Sequence, residues 1–151
     1  MVNFPIVIFA YNRPIHLSRM LNSLFNCEYL KKHKIYFFCD GPKNKKDISK
    51  INKIKTILKN KKIKFKKKIF RKKNIGLAEN IINGVSEILK KNKACIVLED
   101  DLIFGKNAIF FVNFYLNKFA LNKKIGSVSS HSYLHDFKKY KKYSSYYTKR
   151  H

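Results

Sequence analysis

The sequence predicts an α/β fold: a mostly parallel sheet with flanking helices. Short continuous apolar runs alternate with segments whose apolar residues recur at helical spacing. The first two runs end in strong turn signals, "YNRP" and "DGP". Strands that alternate with helices in this way mean βαβ units.

The elements follow in order. "FPIVIFA" (Phe4–Ala10) is an apolar run of strand length, stopped by "YNRP". Leu17, Met20, Leu21, Leu24 and Phe25 then mark a helix, with Pro14 well placed to open it. "KIYFFCDGP" is a second strand ended by Asp40–Gly41–Pro42. Ile48, Ile51, Ile54, Ile57 and Leu58 mark a helix whose other face is lysine, for which a solvated surface is the default meaning. Ile63, Phe65, Ile69 and Phe70 suggest a third strand that alternates poorly. After "NIGL", a stripe of Leu77, Ile81, Val85, Ile88 and Leu89 gives a helix, in which Gly84 carries a small propensity cost. "ACIVLE" is the fourth strand, Ile109, Val112 and Leu116 mark another helix, and "IGSVSS" a short fifth strand. The tail from His131 to His151 is polar, rich in Tyr and Lys, and without a period.

At 151 residues the length fits about one domain, and 45% hydrophobic residues suffice for one core. The formal net charge of +25 admits two readings. One is an electrostatic footprint for nucleic acid, anionic lipid or a phosphorylated substrate. The other is compositional drift, because Lys, Asn, Ile, Phe and Tyr are the residues that AT-rich codons encode. Of 34 basic residues only Arg13, Arg19, Arg71 and Arg150 are arginine, the preferred residue for bidentate phosphate recognition. Drift is the better account, and no specific nucleic-acid partner is expected. Weak attraction to polyanions, including an anionic inner membrane face, follows either way.

Cys27, Cys39 and Cys95 are odd in number and form no CxxC pair, so free thiols in a reducing compartment are expected. The apolar N-terminal patch has no basic segment before it and ends at Asn12–Arg13–Pro14. It reads as a strand rather than a leader or a membrane span, and a cytoplasmic location is the expectation. No GxGxxG, GxxxxGK[ST] or GxSxG occurs, which disfavours Rossmann dehydrogenases, P-loop NTPases and α/β-hydrolases. His16, His33, His131, His135 and His151 show no metal-ligand spacing.

In parallel α/β sheets ligands gather beyond the carboxyl ends of the strands. "YNR", "CDGP" and "EDD" all fall there. "VLEDDL" gathers Glu99, Asp100 and Asp101 in a chain with only 9 acids, so a positive partner, a lysine, a helix N-terminus or a metal ion, is expected beside them. Hard carboxylate oxygens suit Mg²⁺ or Mn²⁺, whose shell water and substrate phosphates complete. The plainer alternative has the acids capping a helix near Gly105 and pairing with lysines. With Asp40 and Arg13 on the same sheet edge, the metal reading is the better one. Asp40 either accepts from the N–H edge of a base or forms an Asx turn, and the two are compatible. Arg13 either meets a nucleotide or heads a helix. Gly76 either permits positive φ and close ligand approach or turns the chain into its helix.

"PIVIFAYNRPIHLSRMLNSL", "FFCDGPKN", "KNIGLAENIINGVSEIL" and "IVLEDDL", in that order, resemble the N-terminal half of GT-A glycosyltransferases. The resemblance is nearest to family 2-like bacterial sugar transferases related to N-acetylglucosaminyltransferase I, and runs from about Phe4 to Ser130. It implies a Rossmann-like nucleotide-diphospho-sugar transferase half-domain that binds a nucleotide sugar, a UDP-sugar by preference. It assigns Ala10, Tyr11, Asn12 and Arg13 to the base, Asp40 to the uracil, and Gly76 and Asn80 to the donor pocket. Glu99, Asp100 and Asp101 match the DxD motif, with Asp101 the Mn²⁺ or Mg²⁺ ligand and the two before it facing the ribose and nucleotide.

Where relatives tend to have Ser-Gly-Tyr, this chain reads Ser130–His131–Ser132–Tyr133, and it contains no Trp. The expected organisation is a nucleotide-sugar-binding domain over 1–130 and a polar tail over 131–151 that begins an absent acceptor-binding half, where the catalytic base is expected. The leading function is metal-assisted transfer of a sugar to a glycan or glycolipid hydroxyl in surface glycan synthesis. The alternatives are a truncated, non-catalytic remnant that binds nucleotide at most, and a basic polyanion-binding module.

Overall fold

A computed structural model describes residues 1–60 and 64–130. Four strands form one parallel sheet: β1 (Ile6–Ala10), β2 (Ile35–Cys39), β3 (Phe65–Phe70) and β4 (Ile96–Glu99), in the order β3-β2-β1-β4. Helices α1 (Pro14–Phe25), α2 (Lys45–Asn60), α3 (Leu77–Leu89) and α4 (Ala108–Phe119) flank it, with a short 3₁₀ turn at Leu30–Lys32. The α/β expectation holds. The tail over 131–151 and Ile63 lie outside the described residues.

β1 is central and wholly buried, which is why its sequence is an unbroken apolar run rather than an alternating one. β3 is an edge strand, and its poor alternation, "FKKKIF", follows from that position. Lys67 faces α3 and pairs with Glu87 at 2.7 Å, while Phe65 and Phe70 turn to the ring of Phe37. Pro14 opens α1, and Leu17, Met20, Leu21 and Leu24 are buried as the spacing predicts.

The core divides across the sheet. On one face α1, α2 and Ile109 of α4 close over Ile6, Ile8, Phe37 and Leu98. On the other, α3 closes over Val7, Phe9 and Phe38. Val97 faces that second side and is 42% exposed, because α3 covers β1 and β2 rather than β4.

Two expectations need correction. "IGSVSS" forms no strand over 125–130: the segment is mostly exposed and pairs with none of the four strands. The apolar stripe of α3 packs only in its middle: Ile81, Val85 and Ile88 lie against the sheet, while Leu77 and Leu89 at its ends are exposed and Asn80 and Gly84, outside the stripe, are buried. The reason is close approach. A Cβ on Gly84 would lie 2.6 Å from Cε1 and 2.7 Å from Cζ of Phe9, a ring only 2% exposed. Gly84 is where helix meets sheet.

At the opposite end, Asn113 of α4 donates to the Val2 carbonyl (3.0 Å) and accepts from the Phe4 amide (3.1 Å), which ties the N-terminal segment to α4. His33 is buried there, its Nδ1 2.7 Å from the Phe4 carbonyl oxygen, and burial pushes its pKa down. A histidine so placed is a core group, in keeping with the absence of ligand spacing. Gly84→Ala forces the Phe9 ring or the helix to shift and is expected to cost about 1–3 kcal/mol in urea unfolding. A variant as stable as the parent contradicts the close packing assigned to Gly84.

Candidate active site

The parallel sheet brings every strand's carboxyl end to one edge. β1 is the strand from which the chain goes one way to β2 and β3 and the other way to β4, so the crevice between β1 and β4 is the topological switch point. "YNR" leaves β1 on one side of that crevice and "EDD" leaves β4 on the other.

Arg13 spans the gap. Its Nη2 donates to Oδ1 of Asp100 and its Nη1 to Oδ2 of Asp101 at 3.1 Å. The positive partner expected beside the acids is therefore an arginine, and Asp101 and Arg13 remain about half exposed. Asp100 is 2% exposed, and its Oδ2 has no hydrogen-bond partner among the described residues. Burial raises the Asp100 pKa against the pull of Arg13 and the Tyr11 amide. Burial also works against the Arg13 charge, but the two carboxylates outweigh it and raise the guanidinium pKa. The pair is lopsided: the buried acid bears most of the desolvation, and the more exposed arginine keeps the benefit of the attraction. Glu99, half-buried, lies opposite Phe9 in the β1–β4 ladder.

Asp40 ends β2 and is 4% exposed. Its Oδ1 accepts from the Gly41 and Ile75 amides (2.8 and 3.0 Å), and its Oδ2 from the Gly76 amide (3.0 Å) and Asn74 Nδ2 (2.9 Å). Four donors match the roughly four lone-pair sites of a carboxylate. Asp40 thus makes the local turn and also fastens the loop between β3 and α3. Gly41 completes the contact: a Cβ there would lie 2.3 Å from the Lys73 carbonyl carbon. Gly76 adopts φ +87 with open space around its Cα, so its requirement is backbone conformation rather than room. Asn80 sits beneath the loop, 1% exposed, and accepts from Arg71 Nε at 2.7 Å. Ala10, last in β1, is buried.

A second carboxylate, Asp47 on α2, was not singled out in the sequence. It accepts from Tyr11 Oη at 2.6 Å and Asn12 Nδ2 at 2.7 Å, so Tyr11 and Asn12 are held by α2 while Arg13 turns to β4. It also accepts from the Lys43 and Asn44 amides, and Asn44 Oδ1 accepts from the Asp47 amide at 3.3 Å. That reciprocal pair is capping-box spacing, Asn44-x-x-Asp47, and was the signal available in the sequence.

Cys27 and Cys39 are buried, Cys95 is half-buried and all three are free. Burial pushes the Cys39 thiol up to about 12, which leaves it inert beneath the site. Among the described residues no cluster of three His, Cys, Asp or Glu is placed to hold a metal. The orphaned Oδ2 of Asp100 leaves one hard carboxylate oxygen unclaimed beside Asp101, the type of donor that Mg²⁺ and Mn²⁺ take.

Hydrogen bonds from Tyr11 and then Asn12 hold the Asp47 pKa at about 2, below the ordinary 3.8. A carboxylate depressed on folding stabilises the fold above its unfolded pKa and loses that contribution as pH falls through its folded value. Stability is expected to decline between about pH 4 and pH 2. Asp47→Asn should flatten that stretch of the pH–stability curve and lower stability at neutral pH. An unchanged slope contradicts the role given to Asp47.

No family model matches the chain, and no curated protein matches it. Solved structures do. A crystal structure of S. aureus TarS superposes with a TM-score of 0.53 at 12% identity, covering 78% of this chain and 20% of that one. A crystal structure of S. aureus TarS 1-349 gives 0.50 at 15% identity, covering 78% of this chain and 33% of that one. The chain therefore spans a third or less of the length of the structures it matches. Its fold, a four-stranded parallel sheet with flanking helices, resembles part of the fold of TarS.

Proposed function

We propose that the chain is the donor-binding part of a glycosyltransferase, taking a nucleotide-diphosphate sugar, with a UDP-sugar favoured. The observation that carries this reading is the pair of adjacent carboxylates at the switch point, one buried with an unclaimed oxygen, held beside Arg13. The fold likeness to TarS, a glycosyltransferase, supports it.

Arg13 and the acids form the diphosphate end of the site. Tyr11, Asn12 and Asp40, with the Asn74–Gly76 loop that Asp40 fastens, form the base end. Asp40 acts there chiefly by fixing the loop, since its own acceptors are already engaged. Asp101, the more exposed acid, and the free oxygen of Asp100 would hold Mg²⁺ or Mn²⁺. Such an ion, when bound, neutralises charge on a leaving diphosphate. Arg13, tethered to both carboxylates, keeps a cation at the same place and limits their mutual repulsion. The acceptor in this reading is a glycan or glycolipid hydroxyl, reached at an anionic inner membrane face.

Titration of UDP-sugars with and without Mn²⁺ tests the reading. Metal-dependent binding is expected, weakened at least about 10–100-fold by Asp101→Ala, since losing a residue that merely orients a metal ligand already costs that much. Affinity that ignores metal and survives the substitution contradicts it.

A further inference from the structure

Basic residues are not spread evenly over the chain. Residues 43–73 carry 16 lysines and arginines against one acid, a net +15 of the chain's +25. Compositional drift raises lysine everywhere; it does not place about three-fifths of the net charge in about a fifth of the residues. The one acid, Asp47, is 3% exposed and turned to Tyr11 and Asn12, so it does little to offset the outward charge.

Among the described residues, the fold brings the lysines of α2 and Lys68 of β3 to one side of the sheet at the β3 edge, while Lys67 turns to α3 and Glu87. The lysines of α2, including Lys50, Lys53 and Lys55, are exposed, because Ile51, Ile54 and Leu58 take the inward positions. Lys68 stands opposite Phe37 in the β2–β3 ladder, on the sheet face that α2 covers. Lys55 lies over the Phe70 ring at 5.4 Å and Lys68 over Phe65 at 5.9 Å, which joins helix and strand into a single cationic surface. Lysines on an edge strand also discourage strand pairing. That protection accounts for β3 but not for α2.

The chemistry of the face distinguishes its partners. Arg71 is the one arginine in the segment, and its Nε is given to Asn80. Phe65 and Phe70 are half-buried under lysines, so they offer no open platform on which bases stack. Many flexible point charges without bidentate or stacking groups suit a diffuse anionic surface. Ile51, Ile54 and Leu58 of α2 are committed to the core and Ile48 alone of its isoleucines is exposed, too little apolar surface to insert, so attachment is electrostatic. We propose that the α2–β3 edge docks the protein on an anionic membrane surface. The face stands apart from the carboxylates at the β1–β4 crevice, and its role does not depend on donor binding.

Vesicle co-sedimentation of the full chain tests this. Binding is expected to vesicles with about 30 mol% phosphatidylglycerol, to weaken with added salt and to be negligible on neutral phosphatidylcholine. Joint Lys50→Gln, Lys53→Gln, Lys55→Gln and Lys68→Gln substitution should weaken it about tenfold or more. Arginine at the same positions should preserve binding. An equal loss of charge at Lys31, Lys90, Lys91 and Lys124 should change it by about twofold at most. Equal weakening by both glutamine sets overturns the proposal. So does tighter, patch-dependent binding to single-stranded nucleic acid than to vesicles of equal charge.

Discussion

A carboxylate that is 2% exposed, as Asp100 is, needs a cation close by, and the geometry of this sheet leaves that task to Arg13. Breaking a buried ion pair by removing one partner is costly, because an uncompensated charge stays behind. The pairing exists only because β1 and β4 are parallel neighbours, so residues 87 apart in sequence leave the sheet side by side. The position of the β1 exit, the adjacency of two acids and the polarity of the crevice all follow from this contact.

The other strand ends are tied in by the same chemistry. Asp47 draws Tyr11 and Asn12 toward α2, and Asp40 fastens the β3–α3 loop to β2. Three carboxylates, each on a different element, thus join the carboxyl ends of the four strands into one rim. The acids of an acid-poor chain are concentrated where backbone amides and one guanidinium converge. Sixteen of the 34 basic residues fall instead within residues 43–73, around α2 and the β3 edge.

Much of this was legible in the sequence. Apolar runs and helical stripes gave all four strands and all four helices, because a parallel sheet covered by helices imposes both periods. Strand-end placement put "YNR" and "EDD" on one sheet edge, but not the pairing of Arg13 with both acids. What escaped depends on contacts that a period does not encode. Gly84 read as a flaw in α3, when its missing side chain is what lets Phe9 approach. "IGSVSS" has strand composition but finds no strand to pair with. Asp40 offered two compatible roles, and the fold brings four donors to it, three of them from the loop after β3. Asp47 was visible as capping-box spacing, yet its bonds to Tyr11 and Asn12 are long-range.

The claim that the β1 and β4 exits form one electrostatic unit is tested most directly by a double-mutant cycle on Arg13→Gln and Asp100→Asn, read as unfolding free energy at neutral pH. Coupling of about 1–3 kcal/mol is predicted, because Asp100→Asn removes the charge that Arg13→Gln would strand. Additive effects, with the double variant as unstable as the two single losses combined, would contradict it.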